Sequence, residues 1–188
     1  MHKLTIEEMH RLTPEQFREA GKIPLIVVLD NVRSLHNVGA VFRTADAFRL
    51  AGVYLCGISG VPSPVEGAPV PSRSAVEEIH KTALGAENTV SWRYFADTKD
   101  AVSNLQKEGY QVMAIEQVEG STMLSDVQLN KNGKYAIIMG HEVFGVAQEV
   151  VDMANGCIEI PQYGTKHSLN VSVTAGIVMY TLAMQLLN

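Results

Sequence analysis

Short apolar runs alternate with segments of helical period along nearly the whole chain, and that alternation restricts the fold more than any other feature. Leu25 to Leu29, Val53 to Cys56, Val90 to Phe95, Tyr110 to Ile115 and Tyr135 to Met139 read as buried strands, and Ile158 and Ile160 belong to a last one. Between them Asn37 to Leu50, Ser74 to Leu84, Asp97 to Glu108 and Val146 to Met153 read as helices. The first rests on the spacing of Val38, Val41, Phe42, Ala45 and Phe48; the third turns Ala101, Val102 and Leu105 inward. Such alternation predicts an α/β fold, a mostly parallel sheet with helices on both faces. A length of 188 residues fits one domain. We divide the chain into a short helical extension, residues 1–21, and a main domain, residues 22–188. In the extension, residues 4 to 20 hold one or two short helices: Thr5 and Glu8 form a capping box, and Thr13-Pro14 opens a second turn.

The C-terminus carries the densest chemistry. An apolar run ends at Pro161, a polar loop follows from Gln162 to His167, and Ser168, Asn170 and Ser172 open a long, almost wholly apolar helix. Thr181 and Gln185 within it argue for a protein interior rather than a membrane. The polar N-terminus is no signal peptide. Cys56 and Cys157 sit alone in apolar runs, so we expect reduced, buried thiols and a cytoplasmic location. A net charge of -5 argues against indiscriminate nucleic-acid binding, though not against a local basic patch.

In parallel sheets, ligands bind where loops leave the carboxyl ends of strands. Three loops qualify by composition: Asp30 to Gly39, Gly140 to Gly145, and Pro161 to Ser168. In the first, Asn37 can cap a helix, Gly39 permits close approach of another backbone, and Arg43 follows nearly two turns later; an N-cap and a solvated arginine would also explain it. In the second, Glu142 either sits at a helix N-terminus, where the macrodipole favours it, or orients a ligand or an arginine. In the third, Ser168 and Asn170 either cap the last helix or line a pocket beside Lys166 and His167. Dinucleotide and phosphate-loop glycine patterns are missing, as are metal-ligand spacing and a G-x-S-x-G. Gly57 to Ser72, rich in Gly, Pro and Ser, reads as a long mobile lid.

Taken together, the three loops resemble the motifs of the SpoU/TrmH-type RNA ribose 2′-O-methyltransferases of the SPOUT superfamily. N-V-G-A-V-F-R-T-A-D-A-F at 37–48 resembles motif one, I-I-M-G-H-E-V-F-G-V at 137–146 motif two, and I-E-I-P-Q-Y-G-T-K-H-S-L-N-V-S-V at 158–173 motif three. The resemblance implies a C-terminal deep trefoil knot that binds S-adenosylmethionine largely through backbone, here at Gly140, Ile160 and Leu169. It implies methyl transfer to a ribose 2′-OH of RNA, with Arg43, Asn37, Glu142, Ser168 and Asn170 as the catalytic set. It also implies a homodimer in which motif one reaches the partner's site, with no metal. A neutral guanidine at pH 7 costs at least ~7 kcal/mol. We therefore expect a charged Arg43 that grips phosphate and stabilises an alkoxide, rather than a base.

The chain departs from the family at His141, usually Asn, at Val143, often Gly, and at Gln162, commonly Met. About twenty residues precede the first strand, too few for the RNA-binding domain that many relatives carry. Substrate grip is then expected from Arg33, His36, Arg43, Arg49, Arg73, Lys166 and His167, with a modest salt dependence. We favour tRNA over rRNA as the substrate. Two alternatives stand beside this reading: a knotted RNA-binding or assembly protein without turnover, suggested by His141 and the acidic charge, and a generic nucleotide-binding α/β protein.

Overall fold

The structure, a computed structural model, describes residues 1–5 and 7–187; Ile6 of the N-terminal extension and Asn188 lie outside the described residues. Its centre is a seven-stranded, wholly parallel sheet. In chain order the strands are β1 Ile23–Asp30, β2 Leu50–Cys56, β3 Trp92–Phe95, β4 Tyr110–Ile115, β5 Thr122–Met123, β6 Lys134–Met139 and β7 Gly156–Glu159. Across the sheet they run β3-β2-β1-β6-β4-β7-β5. The helices are α1 Pro14–Glu19, α2 Leu35–Ala47, α3 Arg73–Ala83, α4 Thr98–Lys107, α5 Gln148–Met153 and α6 Val171–Leu187.

The pleat of β1 divides the core. Leu25, Val27 and Leu29 face one layer with Phe42 of α2, Ile79 of α3 and Met179 of α6. Ile26 and Val28 face the other with Ala101, Val102 and Leu105 of α4 and Val150 of α5. Successive strand side chains point to opposite faces, so a central strand buried on both sides must be largely apolar, and β1 is from Leu25 to Leu29. Helices cover both faces, as the alternation predicted.

Several boundaries differ from the sequence reading. Helix α2 begins at Leu35, not Asn37, because Ser34 is the cap: its Oγ accepts from Asn37 N–H at 3.3 Å. It ends at Ala47, and Leu50 belongs to β2 instead. Asp30, expected in a loop, is the last residue of β1, and Ile160 lies one residue beyond β7. The short β5 has no pattern to reveal it. The expected capping box of Thr5 with Glu8 exists, with Thr5 N–H donating to the carboxylate at 2.7 Å, and the helix start at Thr13-Pro14 proves to be a second box, Thr13 with Gln16. Phe17 of α1 enters the core and Lys22 covers its ring. Burial pushes the Cys56 thiol up to about 12, whereas Cys157, expected buried, is only partly so.

Two arrangements position the site. Strand β7 lies between β4 and β5, which residues 116–121 already connect, so the C-terminal segment passes that closed connection. Second, α2 packs tightly on α3 at Gly39, where a Cβ would meet Thr82 Oγ1 at 2.1 Å and the Ile79 carbonyl oxygen at 2.3 Å. The backbone approach expected of Gly39 is thus made by α3. Gly39→Ala should therefore destabilise the fold by about 1–3 kcal/mol through overpacking, read from the midpoint of urea unfolding. An unchanged midpoint would contradict the close contact.

Candidate functional site

The carboxyl ends of β4, β6 and β7 open into a cavity of about 660 Å³. Its walls come from the segments after those strands: Glu116 to Val118, Gly140 to Val146, and Ile160 to Val171 in part, together with the first turns of α6. Gly140, Ile160, Leu169, Glu142, Ser168 and Asn170 all line it. Asn37 and Arg43 do not.

The loop after β6 is a tight hairpin. His141 N–H donates to Gly145 O at 3.0 Å and Gly145 N–H returns to His141 O at 2.9 Å. Gly145 sits at φ 67°, a conformation L side chains rarely adopt. A Cβ on Gly140 would fall 2.1 Å from the Gly145 carbonyl carbon and 2.2 Å from Val146 N, so only glycine lets the chain fold back here. His141 Nδ1 accepts from Val143 N–H at 3.0 Å. An asparagine oxygen makes the same bond to the backbone two residues on in an Asx turn, so His141 keeps the loop geometry that its departure from the family put in question.

Glu142 leaves this hairpin towards the first loop. Its carboxylate accepts from Ser34 N–H at 2.8 Å, Arg33 N–H at 3.0 Å and Asn37 Nδ2 at 3.2 Å. Burial pushes its pKa up, but hydrogen bonds from Ser34, Arg33 and Asn37 outweigh burial and hold the carboxyl below the usual 4.5. A depressed folded value means that this stabilisation is complete above the ordinary carboxylate pKa and is lost as pH falls through the folded one. Asn37, 8% exposed, accepts through Oδ1 from Asn170 Nδ2 at 3.2 Å. Asn170 Oδ1 in turn accepts from Ser172 N–H at 2.9 Å and Val173 N–H at 3.3 Å, capping α6. Capping and site-building are therefore one arrangement, and all three predicted loops meet through Asn37.

A fourth segment escaped the sequence reading. Glu116, just past β4, accepts from Val146 N–H at 3.0 Å, and Gln117 Nε2 donates to His167 O at 2.8 Å. This pair ties the second loop to the third. Their place at a strand's carboxyl end was the available signal. Ser168 is exposed on the cavity wall. The side chain of Arg43, also exposed, makes no hydrogen bond or ion pair among the described residues. Residues 57–72 line no part of the cavity; their start is fastened by Ser59, whose Oγ accepts from Val32 N–H and donates to Leu29 O.

The lining contains Glu116, Glu142 and Glu159 and no Lys or Arg. Such a wall suits a ligand carrying positive charge and repels a di- or triphosphate. S-adenosylmethionine, with its sulfonium and ammonium, fits this donor set and a cavity in the usual size range for a small ligand. Among the described residues no group of three His, Cys, Asp or Glu is arranged to hold a metal, and no helix is long and apolar enough to cross a membrane.

The profile of the SpoU rRNA Methylase family matches residues 24–180. The chain is 30% identical over 178 residues to a tRNA (guanosine(18)-2'-O)-methyltransferase of Thermus thermophilus, covering 95% of this chain and 84% of that one. The crystal structure of the A. aeolicus TrmH/SpoU tRNA modifying enzyme superposes with a TM-score of 0.74 at 27% identity, over 92% of this chain and 81% of that one. The AdoMet-bound rRNA methyltransferase of Sinorhizobium meliloti superposes at 0.73 with 25% identity, over 95% of this chain and 62% of that one. Likeness to these structures carries the C-terminal knot of the superfamily and S-adenosylmethionine as cofactor. With family profile, fold and assembled loops in agreement, the chain belongs to the SpoU rRNA Methylase family, the RNA 2′-O-ribose methyltransferases of the SPOUT superfamily.

Proposed function

We propose that this protein is a cytoplasmic homodimer that methylates a ribose 2′-OH of tRNA. The observation that carries the reading is the acidic cavity built where Asn37, Glu142 and Asn170 draw three loops together. Relatives at about 30% identity include both tRNA and rRNA enzymes, and tRNA is preferred because the short forms of this family often act there.

S-adenosylmethionine supplies a methyl group on a positively charged sulfur, which needs no further activation to leave. The main chain at Gly140, Ile160 and Leu169, which lines the cavity, would hold it. Ser168 and Asn170 on the cavity wall guide the incoming ribose, while Asn37 acts at one remove by fixing Glu142 and Asn170. S-adenosylmethionine, when bound, would supply the methyl group to the 2′ oxygen, which Ser168 and Asn170 would orient for the transfer while the hydroxyl proton passes to solvent. Arg43, charged, clamps the neighbouring phosphate and stabilises the oxygen as negative charge develops.

Arg43 lies outside its own protomer's cavity, so it serves the partner's. The exposed face of α6 supports such a dimer: Val173, Ile177, Tyr180 and Leu187 are 50%, 38%, 56% and 51% exposed, an apolar stripe at helical spacing. Helix α2, which carries Arg43, packs against α6, with Phe48 and Tyr180 in ring contact at 5.9 Å just past its end. The alternative of a knotted protein without turnover drew on His141 and the acidic charge; the Nδ1 bond to Val143 answers the first of these.

Labelled methyl transfer to unmodified tRNA and rRNA tests the reading. Wild type is expected to label one ribose of tRNA, and Arg43→Ala to label none while its S-adenosylmethionine affinity stays nearly unchanged. Label in rRNA alone would overturn the substrate, and equal turnover in the variant would overturn the role of Arg43. Ile177→Asp should sediment as a monomer and lose transfer; a persisting dimer would contradict the α6 interface.

A further inference from the structure

We propose that Phe144, backed by His141, is the platform on which the base of the methylated nucleotide stacks. The inference rests on the RNA reading above and names the residue that grips the target nucleotide.

Phe144 stands near the tip of the hairpin formed by residues 140–146, lines the cavity and is 82% exposed. Its ring meets that of His141, with centroids 4.9 Å apart and planes inclined by 33°. The hairpin does not need this contact. Its closing bonds run between the His141 and Gly145 backbones and from Val143 N–H to His141 Nδ1, so a polar side chain at 144 would leave them in place. An aromatic ring held out into water beside a cavity calls for a flat apolar partner.

The chemistry of the reaction supplies one. In a nucleoside the base is attached to C1′, the carbon next to the one bearing the 2′-OH. A ribose that presents its 2′ oxygen inside the cavity therefore carries its base to the cavity mouth. A base drawn out of an RNA stack loses its neighbours, and proteins commonly replace them with an aromatic side chain. The platform is preorganised. His141 is pinned at Nδ1 by Val143 N–H, and Glu142, between the two rings in sequence, is fixed to Arg33, Ser34 and Asn37. The two rings thus belong to the rigid part of the site. Stacking reads a π face rather than base edges, so Phe144 governs grip and not the identity of the base.

The test compares Phe144→Ala, Phe144→Leu and Phe144→Trp with wild type, using unmodified tRNA. The alanine and leucine variants should raise the KM for RNA roughly five- to a hundredfold, the loss expected for one stacked base, with kcat falling far less. S-adenosylmethionine affinity and the sedimentation coefficient should stay at wild-type values. The tryptophan variant should restore KM, and RNA should quench its added indole emission over the background of Trp92, the one native tryptophan. An unchanged KM in Phe144→Ala, a leucine variant equal to wild type, or dissociation to monomers would each overturn the platform. Transfer by wild type with KM unchanged in Phe144→Ala would sink the platform and leave the reaction. RNA quenching of the indole in a protein whose wild type transfers no methyl would do the reverse.

Discussion

Asn37 donates through Nδ2 to Glu142 and accepts through Oδ1 from Asn170, so one nearly buried amide joins segments more than a hundred residues apart in sequence. Neither bond is replaceable by solvent without cost, because an amide left unpaired at this depth loses about 1–3 kcal/mol. The consequences run in both directions. Glu142 also accepts the N–H groups of Arg33 and Ser34, so the start of α2 is fixed to the hairpin after β6. Asn170 also caps α6, so the last helix of the chain begins where the amide allows it to begin. The cavity is the space enclosed when these segments are held at that separation.

The sheet makes this junction possible. In a parallel arrangement every strand delivers its carboxyl end to the same edge, and β4, β6 and β7 lie side by side there. Sequence-distant loops therefore arrive within side-chain reach without long excursions. Gly140 lets the hairpin fold back on itself, and Glu116 clamps Val146 from the neighbouring strand. The wall that results is acidic and rich in backbone groups, which suits a cationic cofactor. The exposed Arg43, which we propose grips an RNA phosphate, lies outside the cavity. Separating the two charges avoids repulsion between arginine and sulfonium within one pocket. It is also the reason a second protomer completes the site in the proposed dimer.

Much of this was legible in the sequence for identifiable physical reasons. The two-sided burial of β1 leaves an unbroken apolar run, and the long apolar α6 can be read without any partner. Glu142, Ser168 and Asn170 were found because polar residues beside buried strands and helices need a use. Other features depended on tertiary contacts. Ser34 took the cap assigned to Asn37 because the Asn37 side chain is drawn away to Glu142. The two-residue β5 exists only because β7 arrives beside it. Glu116 carries no local pattern beyond its place after a strand, and its value appears only once Val146 is in place. His141 read as a defect until its Nδ1 was seen to accept the bond that an asparagine oxygen would take.

The claim that one amide couples the three loops is tested most directly by a double-mutant cycle between Glu142→Ala and Asn170→Ala, read as unfolding free energy in urea. The two side chains are bridged by Asn37, so independent effects would simply add. Coupling through Asn37 predicts that the double variant departs from additivity by at least about 0.5 kcal/mol. Strict additivity would contradict it and leave the three loops as neighbours held in place separately.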